Sequence, residues 1–300
     1  MSKIDIVIPY VDNTREKWRK LYEEYAEKEG VFHGPSDARD YGTLKYLFRS
    51  IEKNCQWVNN VFLVVQDEDQ VPEWVNKNEV KIVYHRDYIP KELLPTFSPY
   101  NIEGFYSCID GLEERYVDVN DDMFFINTIP VEKYFNNGLP VMDNTTINGA
   151  TYLEGYGPEF GESIDQGVKI ERKYGGPDAL YFPYHFPAPH LKSVERKILE
   201  ENYDEIIKTQ SASHIRTTKQ IALRETLGNI TKRLGKYILD SSCLNGLWYT
   251  QIYDGEDFSA YDNAMVVCFN DADIVDFESM RENLISYFEK HFPNKSRYEK

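Results

Sequence analysis

Five short apolar runs, rich in β-branched and aromatic residues and separated by helical patterns, limit what this chain can fold into. They occupy positions 4–8, 61–65, 80–84, 116–119 and 264–269. The run at 61–65, Val-Phe-Leu-Val-Val, has no polar alternation, as expected of a strand covered on both faces. Between the first runs lie two helical patterns. After Asn13, an N-cap candidate with Glu16 three residues on, Trp18, Leu21, Tyr22, Tyr25 and Ala26 recur at helical spacing, and Gly30 closes the segment. From about Thr43, Leu44, Leu47, Phe48 and Ile51 share one face while Lys45, Arg49 and Lys53 share the other. Strands alternating with helices predict an α/β fold with a mostly parallel sheet flanked by helices.

The rest is read more coarsely. Residues 72–75 suit a helical turn, and 93–103 suit a loop entering a helix, with Pro95 and Pro99 breaking any longer one. Positions 136–184 are rich in Gly, Pro and aromatics and give no firm element. Helical spacing returns at 193–208 and 218–237, and a closing helix carries Phe277, Met280, Leu284 and Phe288. With no repeat, low-complexity tract or linker, the expectation is a single domain over 1–300 with a helical insertion at about 190–240.

Charge narrows the function. The chain has 34 Lys and Arg against 50 Asp and Glu, a formal net charge of −16. That argues against nonspecific binding to nucleic acid or anionic lipid, and any polyphosphate would need a local basic cluster or a metal. No apolar run approaches a membrane span; the one at 4–11 is broken by Asp5 and Pro9. The N-terminus also lacks the flank and core of a secretory signal. Cys55, Cys108, Cys243 and Cys268 are scattered, which points to reduced thiols in a cytosol.

Three apolar runs end on acidic residues: Asp12, Asn120-Asp121-Asp122, and Asn270-Asp271 with Asp273 beyond. Strand carboxyl ends in an open α/β sheet share one edge, where ligands bind, so these groups are expected to converge. Adjacent carboxylates between apolar runs need a compensating positive charge. Oxygen donors suit Mg²⁺ or Mn²⁺ better than zinc. One such turn is commonplace solvated structure, since Asn and Asp favour turns; three are less easily dismissed. Arg39, Lys45, Arg49, Arg86, Lys192 and Arg216 are the bases available for phosphate oxygens. Of six histidines, His185 and His190 flank a proline-fixed segment, and either is a candidate proton acceptor.

The blocks Ile4-Asp5-Ile6-Val7 with Tyr10-Val11-Asp12, Arg39-Asp40, Leu47-Arg49-Ser50-Ile51-Glu52, His85-Arg86-Asp87, Leu94-Pro95-Thr96-Phe97-Ser98, Asn101-Ile102-Glu103 and Asn120-Asp121-Asp122 resemble the Stealth family. So do His185-Phe186-Pro187, His214-Ile215-Arg216 and Cys268-Phe269-Asn270-Asp271; together the blocks span about residues 4–273. That family includes bacterial capsular and exopolysaccharide sugar-1-phosphate transferases and the lysosomal-targeting GlcNAc-1-phosphotransferase. The resemblance implies a fold related to A-type nucleotide-sugar glycosyltransferases. It also implies transfer of a hexose 1-phosphate, with UDP-GlcNAc the expected donor, to a glycan hydroxyl with release of UMP. Asp121, Asp122 and Asp271 would hold Mg²⁺ or Mn²⁺, His185 would be the general base, and Arg216 would contact phosphate. Asp12, Arg39, Asp40, Arg49, Arg86, Thr96, Asn120, His190 and Asn270 would line the substrate. Two departures stand out: Ile8-Pro9-Tyr10-Val11-Asp12 replaces the usual Tyr-Thr-Trp-Val-Asp, and Pro-Ala-Pro separates His185 from His190, leaving the choice of base open. The implied partners are a UDP-sugar and a glycan, free or lipid-linked, at the cytoplasmic side of the membrane. The rivals are an ordinary metal-dependent glycosyltransferase releasing UDP and a non-catalytic glycan-binding module.

Overall fold

The computed structural model describes residues 3–32, 39–272 and 276–300. In chain order, β1 (Ile4–Pro9) is followed by α1 (Glu16–Glu29), α2 (Leu44–Asn54), β2 (Val58–Val65) and β3 (Val80–Tyr84). Next come the short α3 (His85–Tyr88) and α4 (Pro99–Gly104), then β4 (Arg115–Asp118), β5 (Met123–Phe125), β6 (Phe135–Asn136) and β7 (Leu139–Met142). The second half holds α5 (Tyr152–Tyr156), α6 (Pro158–Glu171), β8 (Ala188–Leu191), α7 (Lys192–Glu201), α8 (Tyr203–Gln210) and α9 (Leu223–Arg233). It closes with β9 (Ile238–Leu239), β10 (Leu247–Gln251), β11 (Val266–Asn270) and α10 (Phe277–His291).

The principal sheet has the order β3-β2-β1-β4-β8, with the first four strands parallel and β8 antiparallel at the edge. The apolar stretches of its inner strands are buried, with only strand ends partly open, as their composition predicts. Asp5 is the exception inside β1. Its two oxygens accept hydrogen bonds from Asn59 Nδ2, Asn60 N and Nδ2, and Glu113 N at 2.9–3.0 Å, so a charge within a buried strand is satisfied by its neighbours.

The expectation of one sheet holding every acidic strand end needs correction. β11 belongs to a separate three-stranded sheet, parallel to β10 and antiparallel to β5. Only residues 119–122 separate β4 in the first sheet from β5 in the second. A third small sheet joins β6, β7 and β9. Asp273 and the Gly34-Pro35 part of the expected loop lie outside the described residues.

The region without firm sequence signals contains α6, which packs against α9 and against the backbone of α5. Gly167 is where α6 meets α9: a Cβ there would fall 1.9 Å from Thr226 Oγ1. Gly167→Ala should therefore lower stability by about 1–3 kcal/mol through overpacking, read from the urea midpoint at unchanged m-value. An unshifted midpoint would show that the helices separate without cost. Among the described residues, no helix is long and apolar enough to cross a membrane.

Candidate active site

β1 and β4 are parallel neighbours, with Val7 opposite Asp118 and Val119 N donating to Val7 O at 2.9 Å. Their exits, Tyr10-Val11-Asp12 and Asn120-Asp121, therefore leave the sheet side by side. A cavity of about 420 Å³ lies over this edge, lined by Tyr10, Gln66, His85, Thr96, Asn120 and Asp121 among others. One wall is an aromatic group: Trp18 stacks on Tyr22 at 5.1 Å, and both present their rings edge-on to Phe97. A second cavity of about 720 Å³ is lined by Phe182, Tyr184, His185, Phe186, Arg224 and Tyr249. Both are lined by Pro99, Glu103, Asn120 and Arg216, which mark where the two meet.

The acidic groups do gather, though by a route other than a shared parallel edge. Phe269 N donates to Asp122 O at 2.8 Å, so the β5–β11 pairing sets Asp122 beside the end of β11 and brings Asn270 and Asp271 to the same side. Asp122 Oδ2 accepts from Cys268 Sγ at 3.3 Å and lies 3.7 Å from His185 Nε2. Burial pushes the Asp122 carboxyl up, but the His185 imidazole outweighs it and holds the group below the usual range. His185 shows the converse: burial favours its neutral form, yet Asp122 raises its basicity above that of an ordinary imidazole. Asp121 is pushed well above the carboxylate range by burial, then by Asp122 and Asp40. Asp122 Oδ1 and Asn120 Oδ1 are buried with no hydrogen-bond partner. Hard oxygen donors left unsatisfied beside crowded carboxylates are a set that Mg²⁺ or Mn²⁺ fits.

Several expected residues are already engaged. Arg39 and Asp271 pair with one another, Nε to Oδ2 at 2.9 Å and Nη2 to Oδ1 at 2.7 Å, and Tyr41 donates to the same carboxylate. Asp12 closes a turn ahead of α1, accepting from Thr14 N, Thr14 Oγ1 and Arg15 Nε. Asp40 accepts from Tyr10 OH and Gly42 N, and burial raises its carboxyl. Thr96 is buried, accepts from Ser98 N and Asn101 Nδ2, and lines the smaller cavity. Arg86 is exposed and pairs with Glu68. Arg49 is not at this edge. Its guanidinium is buried in a bidentate pair with Glu299 at 2.9 Å, also donating to Phe292 O, and fastens the C-terminal segment to α2. Asn270 ends β11, and Arg216 stands at the junction of the cavities.

The two histidines stand in different surroundings. His190 is buried on β8, stacked on Tyr116 at 5.0 Å, with Nδ1 2.5 Å from Glu195 and Nε2 3.2 Å from Asp118. Burial opposes its charge, but the two carboxylates raise it to about 10. An imidazolium held at both nitrogens has no lone pair to take a proton. His185 is one-third exposed and opens on the larger cavity.

Sequence reasoning missed the charges beneath the site. Arg224 donates to Asp118 at 3.1 Å and to Glu225 at 2.9 Å, and lies 3.5 Å from Glu103. Arg224 and His190 outweigh the effect of burial on Asp118, holding it at about 2. Burial raises Glu103 to about 7 despite Arg224. The available signal was Asp118 itself: a carboxylate at a core position of a strand demands a buried cation.

Residues 37–142 match the family model for Stealth protein CR2, conserved region 2. The chain is also similar along its whole length to two streptococcal proteins. They are the capsular polysaccharide phosphotransferase WcwK of Streptococcus pneumoniae and the receptor polysaccharide phosphotransferase WefC of Streptococcus gordonii. Each is 27% identical over 340 residues, covering 100% of this chain and 99% of the relative. The exopolysaccharide phosphotransferase cps2G of Lactiplantibacillus plantarum is 33% identical over 159 residues, 51% of this chain and 45% of that protein.

Proposed function

Because this chain belongs to the Stealth family, we propose that it is a polysaccharide phosphotransferase. In this reading it transfers a hexose 1-phosphate from a UDP-sugar, with UDP-GlcNAc the expected donor, to a glycan hydroxyl. UMP leaves and a phosphodiester remains, in capsular or exopolysaccharide synthesis. The observation that carries the reading is the meeting of two cavities at Asn120, Glu103 and Arg216, with Asp121 lining one, His185 in the wall of the other, and Asp122 3.7 Å from His185 Nε2. The parallel strand ends beneath the smaller cavity support kinship with A-type nucleotide-sugar glycosyltransferases.

The donor diphosphate belongs in the 420 Å³ cavity, its uracil against the Trp18, Tyr22 and Phe97 wall. Asp121 and Asp122, with Asn120, would hold Mg²⁺ or Mn²⁺; Asp271 joins them only by releasing Arg39. When bound, that cation neutralises charge on the diphosphate. Arg216, at the junction, binds the phosphoryl group in transit, as phosphoryl transfer rests on positioning and charge neutralisation around an in-line displacement. The acceptor hydroxyl enters from the 720 Å³ cavity and gives its proton to His185 Nε2, made more basic by Asp122. All four cysteines are free, which supports a reducing, cytoplasmic setting, with membrane contact only through a lipid-linked acceptor.

Incubation with UDP-GlcNAc, Mg²⁺ and an acceptor glycan should release UMP, with a phosphodiester resonance in the phosphorus NMR spectrum of the product. Release of UDP without that resonance would make the protein an ordinary glycosyltransferase; binding without turnover would make it a glycan-binding module. His185→Ala should lower kcat by about a hundredfold or more while leaving the donor Kd within a few-fold. Equal loss in donor binding would remove the base assignment.

A further inference from the structure

Three different donor atoms converge at one point of this molecule: a carboxylate oxygen of Asp122, Nε2 of His185 and Sγ of Cys268. All three lie within 4.8 Å of one another. They come from the turn between β4 and β5, the segment before β8, and the middle of β11. Asp122 Oδ2 is 3.3 Å from Cys268 Sγ and 3.7 Å from His185 Nε2. A tetrahedral zinc, with bonds of about 2.0 Å to oxygen and nitrogen and about 2.3 Å to sulfur, spaces its ligand atoms about 3.3–3.5 Å apart. The two separations from Asp122 Oδ2 are close to that.

The chemistry of the set also discriminates. Magnesium and manganese take oxygen and avoid thiolate, whereas zinc and its neighbours accept a mixed sulfur, nitrogen and oxygen set. The second Asp122 oxygen, Oδ1, is buried without a partner and so free to adjust. His185 lines the 720 Å³ cavity, which gives an ion both an entry path and a fourth position facing that space. Three protein ligands and one open position is an arrangement zinc commonly adopts.

We propose that Asp122, His185 and Cys268 form a binding site for zinc or a similar transition-metal cation, sharing Asp122 with the hard oxygen set of Asp121 and Asn120 but differing from it in donor chemistry. Binding displaces the thiol proton of Cys268 to solvent and uses the lone pair of His185 Nε2. If the function proposed above holds, an occupied site withdraws both Asp122 and the base His185 from transfer, so zinc inhibits.

Cobalt titrated into the full chain tests the site directly, by absorbance. A near-ultraviolet thiolate-to-cobalt charge-transfer band should appear and saturate at one equivalent. It should persist under excess Mg²⁺ and be absent in Cys268→Ser, which controls for Cys55, Cys108 and Cys243. Calorimetric titration with Zn²⁺ should show affinity falling by at least about tenfold in Cys268→Ser, since even an outer-shell partner commonly costs that much. Cys268→Ala serves where Ser disturbs β11, with circular dichroism confirming the fold. A cobalt spectrum without the thiolate band, or zinc affinity unchanged in both Cys268 variants, would show adventitious metal only and overturn the site. These readouts do not depend on transfer: absent turnover with an intact cobalt band refutes the proposed function alone, and turnover without the band refutes the metal site alone.

Discussion

Asp122→Asn should leave the protein folded and abolish the proposed sugar-phosphate transfer. The substitution keeps the side chain's size and its acceptor oxygen for Cys268, so the β5–β11 pairing, which uses the Asp122 carbonyl, is undisturbed. What goes is one negative charge from the place where Asp121, Asp122 and the unpartnered Asn120 oxygen meet. Removing one preorganised electrostatic group from an active site typically costs a hundredfold or more in kcat, about 2.7 kcal/mol of barrier. Here the same change also leaves His185 less basic, because its elevation depends on Asp122. The rate of UMP release at saturating donor should fall at least about a hundredfold, with the thermal midpoint within a few degrees of wild type. Activity within tenfold of wild type would remove Asp122 from the reaction.

The second large effect is on stability. Arg224 is 9% exposed and has Asp118, Glu103 and Glu225 around it. Arg224→Met fills the space and removes the charge, leaving buried carboxylates short of a partner, a loss of about 3–5 kcal/mol. Its pH dependence has a definite sign. His190 titrates at about 10 when folded, above its ordinary 6.5, so its contribution is full below 6.5 and is lost as pH rises through about 10. Asp118 titrates at about 2, below its ordinary 3.8, so its contribution is full above 3.8 and is lost as pH falls through about 2. Wild type thus has the network at full strength between those ordinary values, at mildly acidic pH. Without Arg224 the carboxylates move upward and bind protons in the folded state, so the variant's deficit should shrink as pH falls from 8 to 5. Denaturant melts at both values decide it; a deficit that grows toward acid would mean the guanidinium is not what holds these groups charged.

Local periodicity carried much of the fold. The apolar runs became β1, β2, β3, β4 and β11, and Gly30 ends α1 in the left-handed conformation as its position suggested. Long-range pairing was out of reach. Arg49 sits on what spacing made the outer face of α2, but the chain returns 250 residues later to place Glu299 against it. An apolar run also does not say which sheet it joins, and β11 entered the second sheet. α1 begins later than Asn13 suggested, because Asp12 and Thr14 form a turn ahead of Arg15. α6 was hidden by its own glycines, which lower helix propensity yet are required where α5 and α9 press close. At the site, the acidic strand ends and the two candidate histidines were visible as residue types. The burial of His190 between two carboxylates was not, since Asp118 and Glu195 lie on separate elements.

The four residues at 119–122 stitch the two larger sheets together at the very place where the carboxylates stand. A ligand clasped there braces a mechanical seam as well as filling a cavity. Loading of that seam and the relative set of the two layers are then one equilibrium, so a substitution that loosens β5 against β11, far from any substrate atom, weakens the clasp by the same free energy with which the clasp would have stiffened the seam.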